Sequence, residues 1–92
     1  MMYPYIILAD GTEIVHSHLI KKNGVMIVEV HFERPKPHGF DSARISLPSY
    51  KWIIRDGFTD DEINKFEYFA SRHAHTLYYY AGAEGCPVAK AF

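Results

Sequence analysis

Apolar and polar residues alternate along most of the first half of the chain, which is the period expected of half-buried β-strands. Asp10-Gly11 and Asn23-Gly24 interrupt the alternation, and a proline-containing segment at 35–39 interrupts it again. Because Asp-Gly and Asn-Gly pairs favour the tight turns of β-hairpins, the pattern predicts an antiparallel meander. Its four predicted strands are 3–9, 12–20, 25–34 and 40–47. The segment 48–56 fits either a short fifth strand or a helical turn.

After Thr59 the period changes, and apolar residues recur three or four positions apart, as in a helix that covers a sheet. Thr59 and Glu62 fit a capping box, and Phe58 and Ile63 fit a hydrophobic staple. Gly82 suits the end of this helix. The sequence therefore predicts an α+β fold, with one C-terminal α-helix packed on one face of the four-stranded sheet.

Two-residue loops would fix which strand positions face each other. An Asn23-Gly24 loop places Val15 opposite Phe32, and an Asp10-Gly11 loop places Ile6 beside Val15. This register predicts one apolar face that packs against the helix. The expected core residues are Ile6, Leu8, Val15, Leu19, Val28, Val30, Phe32, Ile45, Leu47, Ile63, Phe66, Ala70 and Leu77.

The same register assembles a polar cluster on the opposite face of the sheet. It places His16 against His31 and His18 against Glu29, with two tyrosines beside the histidines. Contiguous aromatic surface often marks a contact site, so we expect a protein-protein interface here. The interface residues of this hypothesis are Tyr3, Tyr5, His16, His18, Glu29 and His31.

Two chemical interpretations of the cluster compete with an interface. In a minimal acid-base enzyme of the RNA-cleaving type, His16 and His31 would transfer protons while Tyr5 and Arg44 bound phosphate. A zinc site would use His16, His18 and His31. The zinc interpretation is the weaker, because side chains standing in parallel on a flat sheet do not converge on a tetrahedral centre. No cofactor motif occurs in the chain.

Composition narrows the class of protein. The chain has 92 residues, of which 48% are hydrophobic and 23% charged, as is usual for a single globular domain. We expect a compact domain at 1–82 and a flexible tail at 83–92. The single Cys86 allows no internal disulfide, so a reducing, cytoplasmic location is expected.

Charge and hydropathy exclude some partners. The net charge is −1 and the basic residues are dispersed, so nucleic-acid binding is not expected. No apolar run is long enough to span a membrane. We therefore predict a small accessory or regulatory protein that acts by protein-protein contact or self-association. A homodimer is one form this could take.

Overall fold

A computed structural model describes residues 2–82 of the chain, which form an antiparallel sheet and one α-helix. The strands are β1 (Met2–Ile7), β2 (Glu13–Ser17), β3 (Ile20–Lys22), β4 (Val25–Lys36), β5 (Gly39–Leu47) and β6 (Lys51–Asp56), and the helix is α1 (Asp60–Gly82). Their order across the sheet is β1-β2-β4-β5-β6, and β3 also pairs with β4. The predicted α+β class is confirmed. The predicted number of four strands is wrong, since six occur within residues 2–82, and the predicted tail at 83–92 lies outside the described residues.

One of the two extra strands arises because a β-bulge divides the predicted strand 12–20. Beside the Asn23-Gly24 turn the register is as predicted, with Ile20 opposite Ile27, and both turn residues have positive φ. Further along, His16 lies opposite Val30. The β2-β3 segment therefore contains one more residue than β4 between these two pairs, which is the definition of a bulge.

Ser17 stabilises the chain at this bulge. Its hydroxyl accepts a hydrogen bond from the Glu29 backbone N–H at 2.9 Å and donates one to the His18 carbonyl at 2.8 Å. A side chain thus satisfies backbone groups that the interrupted strand pairing would leave open. Beyond the bulge, every β2 side chain points to the face opposite the one expected from the turn.

The first hairpin also differs from the prediction. Its loop has three residues, 9–11, because the Leu8 carbonyl accepts the Gly11 N–H and the Leu8 N–H donates to the Thr12 carbonyl. Of the Asp10-Gly11 pair only Gly11 has positive φ, whereas a type I′ turn needs two such residues. Ile6 consequently lies opposite Ile14, and the expected pairing of Ile6 with Val15 is wrong.

The second extra strand is β6, which forms one edge of the sheet and occupies 51–56 of the ambiguous segment, while 48–50 form a turn. The β5–β6 register shifts beside Arg44, and the β1–β2 register shifts between Pro4 and Ile6. Both edge strands are therefore irregular, which disfavours the addition of further strands at either edge.

The core lies between α1 and one face of the sheet. Phe32 and Phe66 stack at its centre, with ring centroids 4.4 Å apart. The predicted core is confirmed at Val28, Val30, Phe32, Ile45, Leu47, Ile63, Phe66, Ala70 and Leu77. Ile14 takes the place expected of Val15, which is only half-buried because the bulge turns it to the other face. Ile6 is 44% exposed, while Leu8 and Leu19 are partly buried against the core.

The start of α1 is held as the sequence predicts. The Glu62 carboxylate accepts the Thr59 N–H at 3.0 Å, and the Thr59 hydroxyl accepts the Glu62 N–H at 3.2 Å. This reciprocal pair is the predicted capping box. Glu62 also forms an ion pair with Arg34 of β4, so the cap fixes the helix against the sheet.

Candidate functional site

The structure separates the predicted histidine cluster into two groups on opposite faces of the sheet. His16 lies opposite Val30 and Tyr3, and its side chain is fully buried on the helix side. His31 lies opposite Val15 and Arg44 on the other side. The expected cross-strand pairing of His16 with His31 is therefore wrong, and the cause is the bulge next to Ser17.

The remaining members of the cluster divide in the same way. Tyr3 and Tyr5 contact the ring of His16, with centroids 5.7 and 6.2 Å away. His18 is exposed between β2 and β3, and it does not face Glu29 in the strand pairing. Of the six predicted interface residues, Glu29 and His31 lie on the uncovered face, His18 is exposed at the bulge, and Tyr3, Tyr5 and His16 pack together on the helix side.

This separation removes the geometry that both chemical interpretations need. A proton-transfer pair requires two imidazoles within reach of one substrate, but His16 is buried on one side of the sheet and His31 lies on the other. Tyr5 and Arg44 are separated in the same manner. The three imidazoles do not converge either, and residues 2–82 contain no group of three or more His, Cys, Asp or Glu side chains that could hold a metal ion.

His16 is held by a hydrogen bond to the backbone. Its Nδ1 donates to the Ser17 carbonyl at 2.8 Å, since a carbonyl only accepts. Its Nε2 has no hydrogen-bond partner in the described part of the chain. The contacts of this imidazole with Tyr3 and Tyr5 make it part of the packing between β1, β2 and α1.

The uncovered side of the sheet, which we call the open face, carries the residues that alternate with the buried core positions. Its central row crosses five strands and consists of Pro4, Val15, His31, Arg44 and Ile54. Neighbouring rows contribute Glu13, Ile27, Glu29, Glu33, Ser42, Ser46, Lys51 and Asp56. The open face therefore combines partly buried aliphatic side chains with charged ones.

A chain of polar contacts runs along β4 and β5 on the open face. Arg44 lies 3.5 Å from the Glu29 carboxylate, and its Nε donates to His31 Nδ1 at 3.4 Å. The other ring nitrogen of His31 lies 3.5 Å from the Glu33 carboxylate. The His31 side chain is only 14% exposed, so these neighbours hold the imidazole in a defined orientation.

Negative charge predominates on the open face. It carries the four carboxylates Glu13, Glu29, Glu33 and Asp56, against the three cations Lys22, Arg44 and Lys51. Glu13 and Glu33 lie directly opposite each other on β2 and β4. Like charges in this position destabilise strand pairing, and Glu13 has no ion-pair partner within residues 2–82.

A second feature, which the sequence did not indicate, joins β1 to α1. The Tyr5 hydroxyl lies 2.7 Å from His73 Nδ1, and the His73 ring stacks on Phe69 at 4.1 Å. Burial raises the pKa of the Tyr5 hydroxyl, and the nearby Tyr80 raises it further. The contact has no local signal in the sequence, because Tyr5 and His73 are 68 positions apart.

Comparisons with models of protein families, with curated protein sequences and with solved structures find no significant match to this chain. In the described part of the chain, α1 is not long and apolar enough to cross a membrane.

Proposed function

We propose that this chain is a small accessory or regulatory protein that binds another protein through the open face of its sheet. The observation that carries the proposal is the Glu13–Glu33 pair, in which two carboxylates oppose each other beside the half-buried Val15. A partner with basic side chains around an apolar centre would neutralise this pair and cover the aliphatic residues. The proposed site thus takes its specificity from charge and its affinity from apolar burial.

The charge of the open face favours a different protein over a second copy of the chain. Two copies facing each other would bring the acidic excess of both surfaces together, which costs free energy. The contacts among Glu29, Arg44 and His31 present a pre-arranged surface, so a partner would dock without reordering these side chains. The lone Cys86 supports a reducing compartment such as the cytoplasm for this interaction.

The experiment compares two doubly substituted variants. Glu13→Gln with Glu33→Gln removes the opposed charges and keeps the shapes of the side chains. Asp61→Asn with Glu67→Gln removes the same charge from the exposed surface of α1. Immobilised wild-type chain and both variants are used to capture partners from a cell extract, and the affinity of each purified pair is then measured by calorimetry.

We expect the open-face variant to bind the purified partner at least about tenfold more weakly, with the α1 variant unchanged. The open-face variant should also unfold at slightly higher temperature, because it loses a repulsion of a few tenths of a kcal/mol. If these carboxylates acted only in folding, the open-face variant would not bind more weakly while being more stable. Equal affinity of the open-face variant and wild type would contradict the proposal, and concentration-dependent dimerisation through this face would replace the partner with a second copy.

A further inference from the structure

A groove of about 840 Å³ lies between the first hairpin loop and α1, away from the open face. Leu8, Ala9 and Asp10 form one wall, and α1 forms the other from Glu62 to His73. Phe66 and Phe69 contribute to the helix wall, so much of the lining is aromatic. The volume falls within the roughly 300–1,000 Å³ typical of sites for small molecules.

Some of the charged side chains that line the groove have ion-pair partners and others do not. Two carboxylates, Asp10 and Glu62, lie at the end of the groove near the start of α1, and both form ion pairs with Arg34. Lys65 and Arg72 also line the groove, but neither has a carboxylate partner in residues 2–82. Arg72 instead lies over the ring of Tyr68, 5.9 Å from its centroid. The unpaired charges of the groove are thus positive, and they favour an anion.

His73 adds an oriented donor beside Arg72. The Tyr5 hydroxyl has no other hydrogen-bond acceptor in the described part of the chain, so its proton is assigned to the bond with Nδ1. The tautomer that accepts this bond at Nδ1 carries its proton on Nε2. Its stacking on Phe69 limits rotation of the ring. A donor fixed in this way loses little conformational entropy when it binds an acceptor.

From these observations we infer that the groove binds an aromatic carboxylate, with the carboxylate near Arg72 and His73 and the ring against Phe66 and Phe69. The guanidinium and the imidazole N–H would provide charge-assisted hydrogen bonds at one end of the ligand. The aromatic side chains would bury its apolar body. This site is independent of the open face and of the protein partner proposed above.

The test uses naphthoate as the probe and its neutral amide, naphthamide, as the matched ligand. Each is titrated into the full-length chain and followed by backbone amide shifts in heteronuclear NMR spectra. Saturable shifts are expected for naphthoate at Leu8, Phe69, Arg72 and His73, with binding of naphthamide at least about tenfold weaker. Arg72→Gln should lower the affinity for naphthoate by about tenfold, since it removes the charge and the guanidinium donors.

Lys21→Gln is the control variant, because it removes a positive charge from an exposed strand position on another element. Its affinity for naphthoate should equal that of wild type. Arg72 is exposed, so folding of the Arg72→Gln variant is expected and is checked by the dispersion of the same spectra. The inference is overturned if naphthamide binds as tightly as naphthoate, if Arg72→Gln has no effect, or if naphthoate produces no saturable shifts at the groove.

Discussion

Arg34 holds Asp41 with two nitrogens of one guanidinium, Nε at 3.1 Å and Nη2 at 2.8 Å from the same carboxylate oxygen. The same side chain forms ion pairs with Glu62 at the start of α1 and with Asp10 in the first hairpin loop. Its guanidinium also lies 4.8 Å from the centre of the Phe58 ring. Arg34 therefore connects the sheet, the helix start and a loop that borders the groove.

Arg34→Ala should lower the free energy of unfolding by about 2 kcal/mol, because it leaves three carboxylates without their shared donor. Arg34→Lys should recover only part of this loss, since an ammonium group cannot reproduce the planar fork of donors. Urea unfolding of the three proteins measures both effects. Full recovery by lysine would show that charge alone, without the guanidinium geometry, accounts for the contribution of Arg34.

Stability should fall in acid because of the same network. Hydrogen bonds from Lys36 and Arg34 lower the pKa of Asp41, and those from Arg34 and Thr59 lower the pKa of Glu62. Folding therefore favours the ionised carboxylates, and the stabilisation is complete above their unfolded pKa values of about 4. It is lost as the pH falls through the lower folded values.

To test this, the free energy of unfolding of wild type and of Arg34→Ala is measured in urea at pH values from about 7 to about 2. Wild type should lose stability below about pH 4, and the variant should lose less over the same interval, because its carboxylates are closer to their ordinary pKa values. Parallel profiles for the two proteins would mean that other groups cause the acid unfolding.

Substitution by alanine should destabilise the protein more at Gly57 than at Gly11. Both have positive φ, +94° and +89°, so alanine is strained at each position. At Gly57 an added Cβ would also clash with the Asp41 carboxylate, whereas at Gly11 no atom of the described residues lies within 4 Å of it. Gly57→Ala should therefore cost about 2 kcal/mol more than Gly11→Ala in urea unfolding. Equal losses would show that Asp41 moves aside without penalty.

Phe66→Ala should destabilise the fold by about 3–5 kcal/mol, because the ring stacks on Phe32 and is 5% exposed. Tyr68→Ala is the matched control, since this neighbouring aromatic residue is 65% exposed and should change stability by no more than about 0.5 kcal/mol. Thermal and urea unfolding provide the measurement. If the two substitutions destabilised the protein equally, Phe66 would not lie on the buried face of α1.

Features that depend on local sequence could be predicted, and the capping box at Thr59 and the Asn23-Gly24 turn are examples. The bulge could not, because Ile14-Val15 and Leu19-Ile20 are apolar doublets that satisfy either register. Ser17 was the only local indication, since serine side chains bond to nearby backbone groups. The groove depends on the approach of Leu8 to α1, which is a tertiary contact without a periodic signature in the sequence.

The bulge places His16 inside the fold and leaves His31 on the open face. Nuclear Overhauser effects of the two imidazole rings test it directly. Effects are expected from the His16 ring to the rings of Tyr3 and Tyr5, and from the His31 ring to Val15 and Arg44. Direct effects between the rings of His16 and His31 would contradict it, since they would require both side chains on one face.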